Sequence, residues 1–173
     1  YRGGLVASYL DKVPKGVLQA AYRMAACSIH SAKDIKDISA RIVRFLDGYL
    51  SCGDPGTRHA RWLSYFTNLQ KEELLSDSFK GTIKEKDSYL HMASVFNNAN
   101  AVDIVEKLMF TDIKTTLADD YLVKADIASM ANSLEVRSPF LDHKFMETVA
   151  KIPRKYKLRG MTTKYILKKI FAK

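Results

Sequence analysis

An all-α fold is what this sequence predicts, on three observations. Apolar residues recur at helical spacing in segment after segment, no segment alternates apolar and polar residues as a half-buried strand would, and Asx, Gly and Pro signals separate the periodic stretches. With 173 residues, 47% of them hydrophobic, the chain is long enough for one buried core and short for two, so a single helical domain is expected. Its core should gather around Trp62, Phe66, Leu122, Met130, Phe140 and Leu141.

Lys15 to Ser28 is rich in alanine and carries Val17, Leu18, Ala21, Met24 and Ala25 on a helical period. Asp34 to Leu50 repeats the pattern with Ile35, Ile38, Ile42, Phe45, Leu46 and Tyr49, and Ser31 to Asp34 reads as the turn between them. Asp54-Pro55 places a capping carboxylate before a proline at the first helical position, where the missing N–H costs nothing. The helix that follows should turn Trp62, Leu63 and Phe66 inward. Lys71 to Leu75 is a short helix, and Gly81 marks a break. Ser88 to Asn97 and Ala101 to Leu117 supply two more helices, separated by a turn at Asn97-Asn98-Ala99-Asn100. Asp119 and Asp120 can start a further helix, since a carboxylate there satisfies free N–H groups and complements the dipole; it runs to Asn132, and Pro139 stops any continuation. Thr162 or Thr163 caps the last helix. No internal repeat or low-complexity linker interrupts this order.

The net charge of +9 is unevenly placed. Residues 151–173 hold nine Lys and Arg and no Asp or Glu, which accounts for all of it. Such a segment can bind nucleic acid, an anionic membrane or the phosphates of a small ligand, or it can be a solvated face offset by another segment. No zinc-finger spacing, helix-turn-helix pattern or interleaved aromatics point to nucleic acid. No apolar run approaches the roughly 20 residues needed to span a bilayer. Only Cys27 and Cys52 occur, with no signal-like apolar stretch, so a reducing cytoplasm is expected rather than a disulfide framework.

Several chemical motifs fail on their own terms. Cys27 and His30 have ligand spacing but no second pair to complete a tetrahedral zinc site. His59, His91 and His143 stand apart from one another, and neither a His-Glu-x-x-His helix nor a Gly-x-Ser-x-Gly elbow exists. Gly160 to Lys164 lacks the order of a phosphate loop.

The run from Asp119 to His143 says most about function. On its helix Leu122, Asp126, Ser129 and Ser133 follow spacings of four, three and four, so a polar stripe lies where a core-facing helix would be apolar. Asp126 sits in its middle, where an unpaired buried carboxylate would be costly. Lys124 can reach a phosphate as a flexible point charge or snorkel to water. Arg137 can offer its planar fork to a carboxylate of Glu135, Asp126 or Asp142, fixing the bend into Pro139, or to a substrate.

From Lys124 through Asp126, Ser129-Met130-Ala131, Ser133-Leu134-Glu135, Arg137 and Pro139-Phe140-Leu141-Asp142-His143, the run closely resembles the synthetase domain of the asparagine synthetase family. Ile152-Pro153, Lys157-Leu158-Arg159 and Lys164-Tyr165-Ile166-Leu167-Lys168 resemble its continuation, and Arg61 to Phe66 with Glu72-Glu73-Leu74-Leu75 resembles the helical region before it. Ile127 departs from the pattern, standing where the family usually has Arg. Tyr1-Arg2 resembles the end of the family's glycine-rich catalytic stretch, so the chain is expected to be a fragment.

That resemblance implies that the chain, 1–173, is one helical segment of an adenine nucleotide α-hydrolase-like synthetase domain, with an ATP-binding α/β core and a glutaminase domain outside it. It implies an ATP-dependent amide ligase that uses ATP and Mg²⁺, adenylates aspartate, and attacks the β-aspartyl-AMP with ammonia drawn from glutamine. The phosphate-neutralising donors of such an enzyme are expected outside this chain, so no catalytic residue and no metal ligand is assigned here. Lys124, Asp126 and Arg137 are the substrate-binding candidates. The partners implied are small molecules (aspartate, ATP, and glutamine or ammonia), with no nucleic acid and no membrane; a homodimer is left open. Two alternatives stand beside it: a relative that adenylates another carboxylate, such as a β-lactam synthetase or a peptide-modifying amidase, and a non-enzymatic basic helical interaction domain.

Overall fold

The computed structural model describes residues 2–27, 38–66, 68–83 and 89–172. They are overwhelmingly helical, and they fall into two compact units, residues 1–112 and 113–173.

In the first unit the order is α1 (Arg2–Leu10), α2 (Lys15–Cys27), α3 (Ile38–Ser51), α4 (Pro55–Leu63), α5 (Asn68–Leu74), α6 (Asp77–Ile83), α7 (Tyr89–Asn97) and α8 (Ile104–Asp112). The Asp54-Pro55 start is as the sequence predicts. The Asp54 carboxylate accepts from the Thr57 N–H at 2.8 Å and from its hydroxyl at 3.0 Å, with Pro55 opening the helix. Asp103 starts α8 in the same way, accepting from the Val105 N–H at 2.8 Å. The expected turn at Ser31–Asp34 and the Cys27–His30 pairing lie outside the described residues. Gly81 does not break the chain, because α6 runs through it; Ser76 anchors that helix by accepting from the Lys80 N–H at its backbone carbonyl, 2.9 Å away.

Ala7, Leu18, Leu46 and Tyr49 form a buried cluster where α1, α2 and α3 meet, with Phe45 and Trp62 packed against it. Trp62 ties three helices together. Its indole stacks on Phe45 at 4.6 Å between ring centroids and donates to the Phe45 carbonyl at 3.0 Å. Glycines on α1 and α3 let it in: a Cβ on Gly3 would stand 2.8 Å from the indole, and one on Gly48 would stand 2.6 Å from it. Along α4, α7 and α8 a second buried set comprises Ala60, Tyr89, Ala93, Phe96, Val105 and Leu108.

Charged groups brace the first unit from inside. Arg61 pairs with Asp47 at 2.7 Å, and His59 meets Asp112 at 2.6 Å. Arg58 lies 4.4 Å from the Tyr49 ring centroid, and the Tyr49 hydroxyl donates to Asp11 at 2.6 Å. Burial first, and then the bond to Asp11, push the Tyr49 phenol above its ordinary range.

The second unit opens on a π-helix, Ile113–Leu122, which passes directly into α9 (Val123–Met130). A single 3₁₀ turn (Pro139–Leu141), α10 (His143–Lys151), α11 (Arg154–Lys157), two-residue strands β1 (Leu158–Arg159) and β2 (Thr162–Thr163), and α12 (Tyr165–Phe171) follow. Asp119 and Asp120 therefore do not start a helix. The N–H groups that they would cap already belong to the π-helical stretch, and Leu122 precedes α9 without a side-chain cap. Asp142 does cap, accepting from the Phe145 N–H at 2.9 Å. The Lys157 ammonium reaches back to the Ala150 carbonyl at 3.0 Å, near the end of α10.

Two expectations for this unit need correction. Thr162 and Thr163 do not cap the last helix: they pair with Arg159 and Leu158 in an antiparallel hairpin turned by Gly160 at φ +53°, and Lys164 precedes α12 instead. The core is also not the one expected. Trp62 packs on the buried cluster and Leu141 is half-buried, but Phe66, Leu122, Met130 and Phe140 are between 38% and 63% exposed, as is Leu63 at 43%. A helical period marks which face is apolar; the face is buried only where another element covers it. Among the described residues of the second unit only Thr115 and Leu158 are fully buried.

Replacing Gly48 by alanine forces a methyl group into the Trp62 ring, so Gly48→Ala should destabilise the protein by about 1–3 kcal/mol. Urea unfolding followed by Trp62 fluorescence checks this; an unchanged midpoint would show that the ring moves aside without cost.

Candidate functional site

The helix-breaking end of the 119–143 run shapes the site. α9 stops at Met130, and the chain closes the helix with two backbone bonds, Leu134 N–H to the Ser129 carbonyl at 3.0 Å and Ser133 N–H to the Met130 carbonyl at 2.9 Å. That pair of reversed bonds puts Ser133 in the left-handed region at φ +55°. The chain then runs extended through Glu135, Val136 and Arg137 to the 3₁₀ turn at Pro139.

An open groove of ≈ 610 Å³ results, lined by Asp126, Met130, Ser133, Glu135, Val136 and Arg137. Two of the three sequence-predicted residues, Asp126 and Arg137, thus share one site. Lys124 is not in its lining. It pairs with Asp120 at 3.0 Å, one helical turn before it, and lies 5.4 Å from the Tyr121 ring centroid. Of the expected polar stripe, Asp126 and Ser133 reach the groove, whereas the Ser129 hydroxyl turns back to the Asp126 carbonyl at 3.1 Å.

Three carboxylates were candidates for Arg137, and the structure selects Glu135, which is in direct ion-pair contact with it. Asp142 serves α10 instead, and Asp126 lines the groove. The Arg137 and Glu135 side chains are 86% and 69% exposed. Such a pair contributes little to stability because water and salt screen it, so Arg137 is available to exchange Glu135 for a ligand carboxylate.

Sequence reasoning singled out neither Ser133 nor Glu135 as a binding group. The signal for Ser133 was present: a helix ended at Met130 with no glycine after it, so another residue had to take the left-handed position. For Mg²⁺ the residues do not fit. Among the described residues no group of three or more His, Cys, Asp or Glu side chains could hold a metal ion, and Asp126 and Glu135 share their groove with a guanidinium.

Residues 22–173 match the family model described as asparagine synthase. Over 74 residues the chain is 42% identical to "Asparagine synthetase [glutamine-hydrolyzing] 1" of Bacillus subtilis (strain 168), an alignment covering 43% of this chain and 12% of that protein. Over 77 residues it is 40% identical to proteins provisionally named glutamine-hydrolysing asparagine synthetases in Mycobacterium bovis and in Mycobacterium tuberculosis (strain H37Rv), covering 44% of this chain and 12% of each. The chain therefore aligns with only a small part of the length of these curated relatives. No solved structure matches it.

Because the Arg137–Glu135 pair is exposed, Arg137→Ala should lower stability by less than about 1 kcal/mol. Chemical denaturation of the variant beside the parent checks this, and a loss of about 3 kcal/mol or more would reveal a buried structural role instead.

Proposed function

The chain belongs to the asparagine synthase family, and on that premise we propose that the full-length protein is an ATP-dependent amide ligase that makes asparagine from aspartate. The observation that carries this proposal is the continuous family match across the 119–143 run, in which Asp126 and Arg137 line a single groove. In the proposed reaction an oxygen of the aspartate side-chain carboxylate attacks the α-phosphorus of ATP, and the bond to pyrophosphate breaks. Ammonia released from glutamine then attacks the acyl carbon of the β-aspartyl-AMP, loses a proton, and expels AMP to leave the amide.

Within this chain the proposed substrate-binding residues are Lys124, Asp126 and Arg137. Arg137 exchanges Glu135 for a substrate carboxylate, which its planar fork can hold through two parallel hydrogen bonds. Asp126 accepts from an ammonium group. Lys124 contributes a mobile positive charge, since its exposed pair with Asp120 is readily exchanged. When bound, Mg²⁺ would neutralise phosphate charge as pyrophosphate departs; its ligands are assigned to residues outside this chain. The nucleotide-binding core, of adenine nucleotide α-hydrolase type, and the glutaminase are likewise assigned elsewhere in the full-length protein, which we place in the cytoplasm.

Aspartate-dependent exchange of labelled pyrophosphate into ATP by the full-length protein tests the reading. Exchange is expected there and not with the 173-residue chain alone, because losing even one preorganised donor at a developing charge costs about 2.7–4 kcal/mol. Robust aspartate-dependent exchange by this chain alone would show that the catalytic groups lie within it. Exchange by the full-length protein with a different carboxylate and not with aspartate would move it to another branch of the family.

A further inference from the structure

Resting on the ligase reading, we propose that Ser133 is a ligand contact, whose hydroxyl bonds the amino-acid substrate, and not the nucleotide, in the groove at the end of α9. Among the described residues only Ser133 and Lys164 hold a positive φ without being glycine, and of the two only Ser133 lines the groove. Glycine suits such a position best, and a side chain there strains against its own backbone. A serine at this point gives up conformational stability, which points to a use for its hydroxyl.

The surrounding polar groups are committed elsewhere. Ser129 donates to the Asp126 carbonyl at 3.1 Å, and the Asn132 amide donates to the Ala128 carbonyl at 3.0 Å. No intramolecular side-chain hydrogen bond engages the Ser133 hydroxyl among the described residues. It can therefore both donate to and accept from a bound molecule.

Charge decides which molecule. The ionisable groups of the lining are Asp126, Glu135 and Arg137, two carboxylates to one guanidinium, and Arg137 is already paired with Glu135. Their sum repels a triphosphate and attracts an ammonium group. An α-amino acid brings that ammonium to Asp126 and a carboxylate to the Ser133 hydroxyl and the Arg137 fork.

Ser133→Gly and Ser133→Ala in the full-length protein test this, with the KM for aspartate and the KM for ATP measured separately by pyrophosphate exchange and stability followed by thermal melting. Both variants should raise the aspartate KM at least about tenfold, as expected for losing a hydrogen bond to a charged group, and leave the ATP KM unchanged. The glycine variant should melt above the alanine variant, since alanine keeps the backbone strain. An increase in the ATP KM alone would overturn the inference by giving the groove to the nucleotide. Normal wild-type exchange with an unchanged aspartate KM in both variants would overturn the inference and leave the ligase reading standing. A wild-type protein without aspartate-dependent exchange would overturn the ligase reading and this inference with it.

Discussion

The packing of Trp62 against two glycines is the constraint on which the first unit depends. An indole needs a flat slot, and here the slot is made by removing side chains from α1 and α3 and laying Phe45 alongside. Once the ring is in place, the three helices have little freedom to slide, because close-packed interiors transmit a misfit of even one methylene. The position of α4 in turn carries Arg58, His59 and Arg61 inward, where each finds a partner. Burying three such groups on one helix is tolerable only because each is hydrogen-bonded or paired. The same geometry brings Tyr49 and Arg58 together, so a hydrophobic constraint fixes a polar network.

The second unit is organised by local bonds more than by burial. Its corners are set by the Asp142 cap, the reversed bonds after α9, the Lys157 contact with α10 and the hairpin at Gly160. Leu158 is the deeply buried apolar residue among those described there, and the Phe140–Phe145 edge contact at 5.6 Å is formed by rings that remain largely exposed. Exposed apolar side chains on α9 and α12, such as Ile127, Met130 and Ile170, have no cover within the unit. The site therefore owes its shape to backbone geometry, which a sequence encodes in caps and breakers.

That division explains what could be read in advance. Helices were legible wherever a period and a stop signal agreed, as at Asp54-Pro55, because capping is a short-range interaction between residues three apart. Gly81 and Asp119 were misread because a breaker or a capping residue acts only if the neighbouring turn leaves it something to break or cap. The Thr162–Thr163 hairpin was too short for alternation to show. Apolar residues of the 119–143 run were expected in a core, yet a period cannot say what covers a face. The groove was partly legible: Asp126 and Arg137 were named from their chemistry, whereas the exclusion of Lys124 depended on a neighbour one turn away, Asp120, already within its reach.

The π-helical stretch before α9 carries a consequence for how this region can vary. Each i→i+5 turn holds one residue more than an α-turn, and one residue corresponds to about 100° around the helix axis. Deleting a single residue between Ile113 and Leu122 could therefore tighten the stretch toward ordinary α geometry while rolling everything after it, Asp126 included, by roughly a quarter turn relative to Ile113. Substitutions within the stretch carry no such phase change. Chain length in these ten residues is thus a stricter inheritance than their chemical identity, and an alignment gap falling there would signal a reoriented groove even if every groove residue were unchanged.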